Sequence, residues 1–371
     1  MLQLLIILPI ALIVITIIQL YYYLFIFKKL AFYKESEKTN SQEYPVSVII
    51  CAKDEAQNLS INLPGALCQD YRTTHEVIVV NDNSTDESKY LLEEFQKQFR
   101  HLNIVTLMQE AMHIPGKKFP LSMGIKAAKY ETLLMTDADC VPASEHWIKH
   151  IQNAYKDGVE IVLGYGAYKK ASGFLNKVIR FETFHTAMQY FSYALSGMPY
   201  MGVGRNLSYL REVFNRNKGF SAINHIPSGD DDLFINMVAT SNNTAIAIHP
   251  EAFTVSTAPQ SWSAWMKQKQ RHYTTARYYK PKHKFLLGLY ATLQTSFLPV
   301  LIATAFFYDW RIALSCFLLR AIVQYIIIGK AMQKLNEKDL IPLIFIFDVW
   351  MFFYNLLFVP ALWKKPAKNW H

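Results

Sequence analysis

The sequence predicts an α/β domain with a mainly parallel sheet, held to a membrane by apolar segments at its two ends. Three observations carry that expectation. Within the 371 residues, stretches apolar and long enough to cross a bilayer lie only at the ends. Between them, short β-branched runs alternate with helix-like segments, the pattern of strands joined by crossover helices. One of those runs then stops on carboxylates, and the carboxyl ends of strands are where open α/β sheets bind ligands.

The first element is the anchor. Residues 2–27, LQLLIILPIALIVITIIQLYYYLFIF, carry no charge and as a helix would reach about 39 Å, against a hydrocarbon core of about 30 Å. The basic pair Lys28-Lys29 follows the apolar run and no small-residue cleavage site is seen, so the segment reads as an anchor and not as a cleaved leader. Basic residues favour the cytoplasmic face, so the expectation is a multi-pass protein of the cell membrane with its central domain in the cytoplasm. The expected divisions are an anchor at 1–28, a linker at 29–44 containing the polar stretch KESEKTNSQE (34–43), a domain at 45–284, a C-terminal membrane region of about three helices at 285–363 and a basic tail at 364–371.

Within the domain the predicted strands are VSVIICA (46–52), EVIVVN (76–81), NIVTL (103–107), TLLMT (132–136) and VEIVLGYG (159–166). Helices are expected near 58–69, 87–99, 117–130 and 144–155, the second opened by a capping box of Ser84 and Glu87. The segment 174–195 has apolar residues near helical spacing, which suits either a helix in the membrane surface or one facing the core. Three apolar segments follow, near 285–307, 311–329 and 340–362. Arg320, Asp348 and Asn355 within them are expected to face protein or the interface, not lipid. Four crossings would put Lys364, Lys365 and Lys368 on the far side, against the positive-inside rule. Either the rule fails here or one of the last two segments lies in the interface.

Composition narrows the function classes. Cys51, Cys68, Cys140 and Cys316 are scattered without metal-ligand spacing, as in a reducing compartment. The net charge of +9 is concentrated in a stretch from Glu251 to Asp309 that has no acid between those two residues, with Lys267, Lys269, Arg271, Arg277, Lys280, Lys282 and Lys284 crowding the approach to the membrane. Such a belt suits anionic lipid; no nucleic-acid partner is expected for a chain anchored at both ends.

The chemistry lies in the polar motifs. In TLLMTDADCVP (132–142) an apolar run ends on Asp137 and Asp139, one residue apart, where two hard oxygen ligands can hold Mg²⁺ or Mn²⁺ and leave positions open for phosphate. Around that pair, PVSVIICAKDEAQNL (45–59), VIVVNDNSTDES (77–88), GKKFPLSMGIKAA (116–128), GRNLSY (204–209), GDDDL (229–233) and QKQRH (268–272) occur in register. The order resembles the family 2 glycosyltransferases, inverting enzymes of the GT-A fold, and their membrane-embedded branch of polysaccharide synthases and lipid glycosyltransferases.

The resemblance implies a role for each motif. Asp82 and Glu55 would contact the nucleoside of a nucleotide-sugar donor, UDP-linked in the family, and Lys117 its diphosphate. Asp137 and Asp139 would hold the divalent metal, with Asp137 also beside the donor. Gln268, Arg271 and His272 would close over the diphosphate, since arginine's planar fork suits phosphate. Arg205 and Asn206 would border the acceptor. The acid run supplies the base that deprotonates the acceptor hydroxyl. Aligned on Gly-Asp-Asp the base is Asp231; aligned on Leu233 it is Asp230, and the first register is preferred. His272 stands where the family has tryptophan, which argues against synthesis of a long polymer. The implied acceptor is a lipid-linked or envelope glycan group, with a processive exopolysaccharide synthase, a silent membrane scaffold and a nucleotidyltransferase as the competing readings. His185 and His225 have no supporting spacing and are assigned no role.

Overall fold

The computed structural model describes residues 2–35, 44–108, 116–358 and 360. Residues 36–43 of the predicted linker and the tail 364–371 lie outside the described residues. The anchor is one helical rod, α1 (Leu2–Tyr21), a π-helical stretch (Tyr22–Phe27) and a last turn α2 (Lys28–Ala31). It runs past the expected boundary at residue 28 because Leu30 and Ala31 are buried, and Lys29 Nζ donates to the Leu195 carbonyl at 3.2 Å.

Ten strands follow among the described residues: β1 (Val46–Ala52), β2 (His75–Asp82), β3 (Leu102–Leu107), β4 (Thr132–Asp137), β5 (Cys140–Pro142), β6 (Ile161–Leu163), β7 (Gly166–Tyr168), β8 (Leu207–Leu210), β9 (Thr244–Ile246) and β10 (Thr254–Ser256). The helices of the domain are α3 (Ala56–Leu67), α4 (Ser88–Gln98), α5 (Lys118–Ala127), α6 (Trp147–Asn153), α7 (Phe174–Leu195), α8 (Arg211–Arg216), α9 (Asp232–Val238) and α10 (Trp262–Tyr273). Three more close the chain, α11 (Pro281–Phe307), α12 (Trp310–Lys334) and α13 (Ile344–Phe358). By length and composition four segments could cross a membrane, the anchor and these three.

The large sheet has the order β3-β2-β1-β4-β8-β6-β9. Its first half is parallel, and every residue of β1 is buried because helices cover both faces. The strand β8, which the sequence pattern does not announce, enters antiparallel to both β4 and β6. A small second sheet, β5-β10-β7, stands beside the end of β4.

Two local expectations are corrected. The run 159–166 is not one strand: β6 joins the large sheet and β7 the small one. The break falls at Gly164, where a Cβ would sit 2.4 Å from the Asn206 side chain. The Ser84–Glu87 capping box does not form. Ser84 Oγ instead accepts from the Asp54 N–H at 3.0 Å, and Asp86 caps both neighbouring helices, accepting from the N–H of Ser88 at 3.0 Å and of Ala56 at 2.9 Å. Of the two readings of 174–195, the core-facing one is realised: Phe181, Phe184, Met188 and Phe191 are buried, and so are the polar Arg180 and Glu182.

Candidate active site

The site is built at the carboxyl ends of β1, β2 and β4. Cys51 pairs with Val80 on one side and Asp137 on the other, so Asp82, two residues beyond Val80, lies on the same face as Asp137 and further out along the carboxyl edge. Asp82, 9% exposed, accepts from Asn83 Nδ2 at 3.1 Å, and Asn83 takes a positive φ of 53°, which suits asparagine in a turn. Glu55 caps the start of α3 and accepts from Asn58 Nδ2 at 2.5 Å. The two loops are laced by Asp54, whose carboxylate accepts from the Thr85 N–H at 2.6 Å; that bond holds its carboxyl below the usual range. Asp54 and Asp86 were not singled out in the sequence, although both lie inside its motifs.

Asp137 is paired directly with Lys117, the residue that opens α5. Burial would raise Asp137, but the Lys117 ammonium, with Arg205 and Arg271 further off, holds its carboxyl below the usual range. Asp139 goes the other way, pushed up by burial and by the Asp137 charge. Burial likewise works against the charge on Lys117, but the groups around it, Asp137 foremost and Asp230 among them, together raise its ammonium above the usual range. Donor atoms of Asp137, Asp139 and Cys140 lie within 4.8 Å of one another. Burial raises the Cys140 thiol well above its ordinary value, so the two carboxylates form a hard oxygen pair that fits a divalent cation. A second cluster, His150, His249 and Glu251, does not. Its imidazoles stack with centroids 3.8 Å apart and planes 4° from parallel, so their nitrogens cannot converge on one ion, and His150 Nε2 is shared with Glu251 at 2.9 Å.

Asp230 and Asp231 of the acid run line a small crevice with Lys117, the ion-pair partner of Asp137, and with Gly204 and Tyr209. The three acids are not equivalent. Asp232 is buried and spent: it accepts from Thr275 Oγ1 at 2.5 Å, from the Tyr279 hydroxyl at 2.8 Å and from the Leu233 N–H at 2.7 Å. Asp231 caps α9 and accepts from the N–H of Asp232 at 2.6 Å and of Gly204 at 2.7 Å. Burial, with Asp230 and Asp232 on either side, pushes its carboxyl up to about 8. Asp230 shares the crevice with Lys117.

The loop before the run is clamped by the segment 116–118. Lys118, to which the sequence gives no role, is 0% exposed and donates to the carbonyls of Ile226 at 2.5 Å and Ser228 at 2.8 Å. Gly116 has φ +79°, and a Cβ there would lie 2.1 Å from the Pro227 carbonyl oxygen.

On the remaining wall, Arg205 stacks 4.3 Å over the Tyr168 ring and donates to Ser256 Oγ at 2.9 Å and to the Gly166 carbonyl at 2.7 Å. Asn206 is a correction. It is 0% exposed, donates to the carbonyls of Tyr165 and Ala252 and accepts from Trp147 Nε1, so it holds the two sheets together and cannot meet an acceptor. Gln268 and Arg271 do fall on one helix, α10; Gln268 Nε2 reaches the Tyr168 hydroxyl at 3.3 Å, the Arg271 charge acts on Asp137, and His272 is exposed. Lys269, between them, turns inward to pair with Glu182 of α7. Tyr168 and Glu182 carry no motif; that Glu182 is the lone acid of α7 is its one sign in the sequence.

Comparison with known proteins now has a geometry to refer to. The chain is 24% identical over 246 residues to the probable glycosyltransferase YdaM of Bacillus subtilis (strain 168), covering 63% of this chain and 56% of that one. It is 28% identical over 120 residues to the glycosyltransferase AglE of Haloferax volcanii, covering 32% of this chain and 38% of that one. The chain therefore spans about half or less of the length of these curated relatives. In fold it is similar to the mannosyltransferase PcManGT of Pyrobaculum calidifontis, solved with GDP-Man and Mn²⁺, with a TM-score of 0.57 at 18% identity over 92% of this chain and 99% of that one. The motif order resembles family 2, while the family model that matches, over residues 10–370, is that of another family in the same glycosyltransferase class. The match takes in nearly the whole sequence, and the chain belongs to glycosyl transferase family 21.

Proposed function

We propose that the chain is a membrane-anchored, inverting glycosyltransferase that moves one sugar from a nucleoside-diphosphate donor, UDP-linked by the family 2 resemblance, to a lipid-borne or envelope-glycan acceptor at the cytoplasmic face. The observation that carries the reading is the crevice in which Asp231 faces Lys117, with Asp137 and Asp139 beside it.

Each residue then has a task. Glu55 and Asp82 bound the place for the nucleoside at the ends of the first two strands. Lys117, Gln268, Arg271 and His272 offer donors to the diphosphate, and Arg205 is held between Tyr168 and the acid pair. Asp137 and Asp139 would hold Mg²⁺ or Mn²⁺, which supplies positive charge to the departing diphosphate. Asp231 takes the acceptor hydroxyl proton as the new bond forms at the anomeric carbon and the bond to the diphosphate oxygen breaks on the opposite face. A carboxyl raised to about 8 is a stronger base than an ordinary aspartate, which suits that step. The Gly204 and Asp232 N–H groups fix its orientation.

The exposed His272 offers no tryptophan platform for a growing glycan, which supports single transfer over processive synthesis. The test is a screen of UDP- and GDP-sugars with Mn²⁺, purified protein and membrane lipid extract. Release of a nucleoside diphosphate with one sugar added, in the anomeric configuration opposite to the donor's, supports the reading. Pyrophosphate release from a nucleoside triphosphate, a long polymer, or no turnover with any donor would replace it with the nucleotidyltransferase, the processive enzyme or the scaffold, respectively.

A further inference from the structure

Helix α13 is apolar enough to cross a membrane, but its contacts describe a different path. Asp348 accepts from Gln294 Nε2 at 2.6 Å, and Asn355 Nδ2 donates to Thr295 Oγ1 at 3.1 Å. Seven residues advance a helix by about 10 Å, yet the two partners are neighbours on α11. A helix running beside α11 through the bilayer would have advanced by a similar number of residues on it. α13 therefore lies across α11.

The same is seen from the domain side. Phe347 stacks on Phe181 at 4.2 Å and the Tyr354 hydroxyl donates to Glu182 at 3.2 Å, two adjacent residues of α7. The aromatic face of α13 packs on α10: Trp262 meets Trp350 at 5.8 Å, Trp265 meets Trp350, Tyr354 and Phe358 at 6.4, 6.1 and 5.6 Å, and Tyr273 meets Tyr354 and Phe358 at 6.0 and 5.6 Å. So α13 packs against a helix of the catalytic domain. Both of its ends are tied to that domain, since the turn before it is bound where Arg180 meets Glu337 and Asp339.

Among the described residues, the opposite face of α13 is left open. Ile346, Val349, Phe353, Leu356 and Leu357, spaced to form one stripe, are 45–56% exposed. Lys280, Lys282, Lys284 and Lys338, exposed where α11 and the turn before α13 begin, mark the level of anionic headgroups on the same side.

We infer that α13 is an in-plane helix buried in the leaflet on the catalytic side, its exposed stripe against acyl chains, so that the chain crosses the bilayer three times and its C-terminus returns to the side of the catalytic domain. The donor-side helix α10 thereby has a footing in the membrane, pinned by Lys269 to Glu182 and by Glu182 to Tyr354. The inference does not depend on which sugar or acceptor is used.

The test uses the full chain in sealed membranes and a membrane-impermeant thiol reagent. Cys68, exposed on the domain, marks the catalytic side; an Asp309→Cys variant, between α11 and α12, marks the other; a hydrophilic extension carrying one cysteine is appended after His371. Labelling of the extension from the Cys68 side, with Asp309→Cys labelled only from the opposite side, is the expected result. Labelling of the extension together with Asp309→Cys would establish a fourth crossing and overturn the inference.

Discussion

Lys117 and Asp137 form a direct ion pair that joins the start of α5 to the end of β4, and so ties the diphosphate candidate to the metal candidate. The Lys117 ammonium is the largest influence holding the Asp137 carboxyl down against its burial. Lys117→Met removes that charge. It should weaken binding of a nucleoside diphosphate by about ten- to a hundredfold, the loss of one charged hydrogen bond of about 1.5–3 kcal/mol. Calorimetric titration of UDP and GDP into solubilised protein measures it; unchanged affinity for both would remove Lys117 from the donor site.

Metal dependence tests the acid pair. Chelation should silence transfer, Mg²⁺ or Mn²⁺ should restore it, and Asp139→Ala should abolish it while leaving the melting temperature nearly unchanged, because among the described residues the side chain of Asp139 accepts one hydrogen bond, from Cys140 Sγ at 3.3 Å. Full activity in excess chelator rules the metal out.

The clamp on the base loop gives a third expectation. Alanine at residue 116 would need the left-handed backbone at a cost of about 1–2 kcal/mol and would push its Cβ into the Pro227 carbonyl. Gly116→Ala should therefore displace the loop that leads into the acid run, lowering turnover at least tenfold with little change in nucleotide affinity. Lys118→Met, which frees the Ile226 and Ser228 carbonyls, should show the same split. Equal losses in turnover and affinity would mean that the loop serves the donor instead.

What was legible in the sequence follows periodicity and chemistry. β1, β2 and β4 are buried parallel strands and β3 a half-buried edge strand, all of six to eight residues, long enough to show as β-branched runs, and Asp137 is conspicuous because it ends one of them. β5, β6, β7, β9 and β10 have three residues each and no period to read. The motif order singles out Asp82, Lys117 and Arg271 as candidates, but it could not tell that Asn206 faces inward, because the residues that satisfy it, Tyr165, Ala252 and Trp147, come from distant parts of the chain. Lys269 reads as part of a basic belt, and Lys118 gives no sign of its role, for the same reason: their partners are Glu182 and the Ile226 and Ser228 carbonyls, and only the fold brings them near.

The choice of base within the acid run is the expectation with the most separate readouts. Asp231→Asn keeps the shape but cannot take a proton, so turnover should fall by about 10² to 10⁴, with nucleotide affinity retained. Asp230→Asn should do less. Asp232→Ala should act on stability, since it strands Thr275 and Tyr279 at about 1–3 kcal/mol. The pH profile supplies an independent check. Asp231 must be ionised to act, and its carboxyl is raised to about 8, so kcat/KM should climb through neutral pH and level off near 8 instead of near 4. Stability runs the opposite way: a carboxyl raised in the folded state favours the fold while protonated, and that contribution is lost as pH rises from the ordinary carboxylate range through about 8. Melting temperature should fall across that window in the wild type and fall less in Asp231→Asn. Near-normal turnover in Asp231→Asn with collapse in Asp230→Asn would move the base one residue back. Near-normal turnover in both would take catalysis away from the run, leaving it as the N-terminal cap of α9 and the tie to Thr275 and Tyr279.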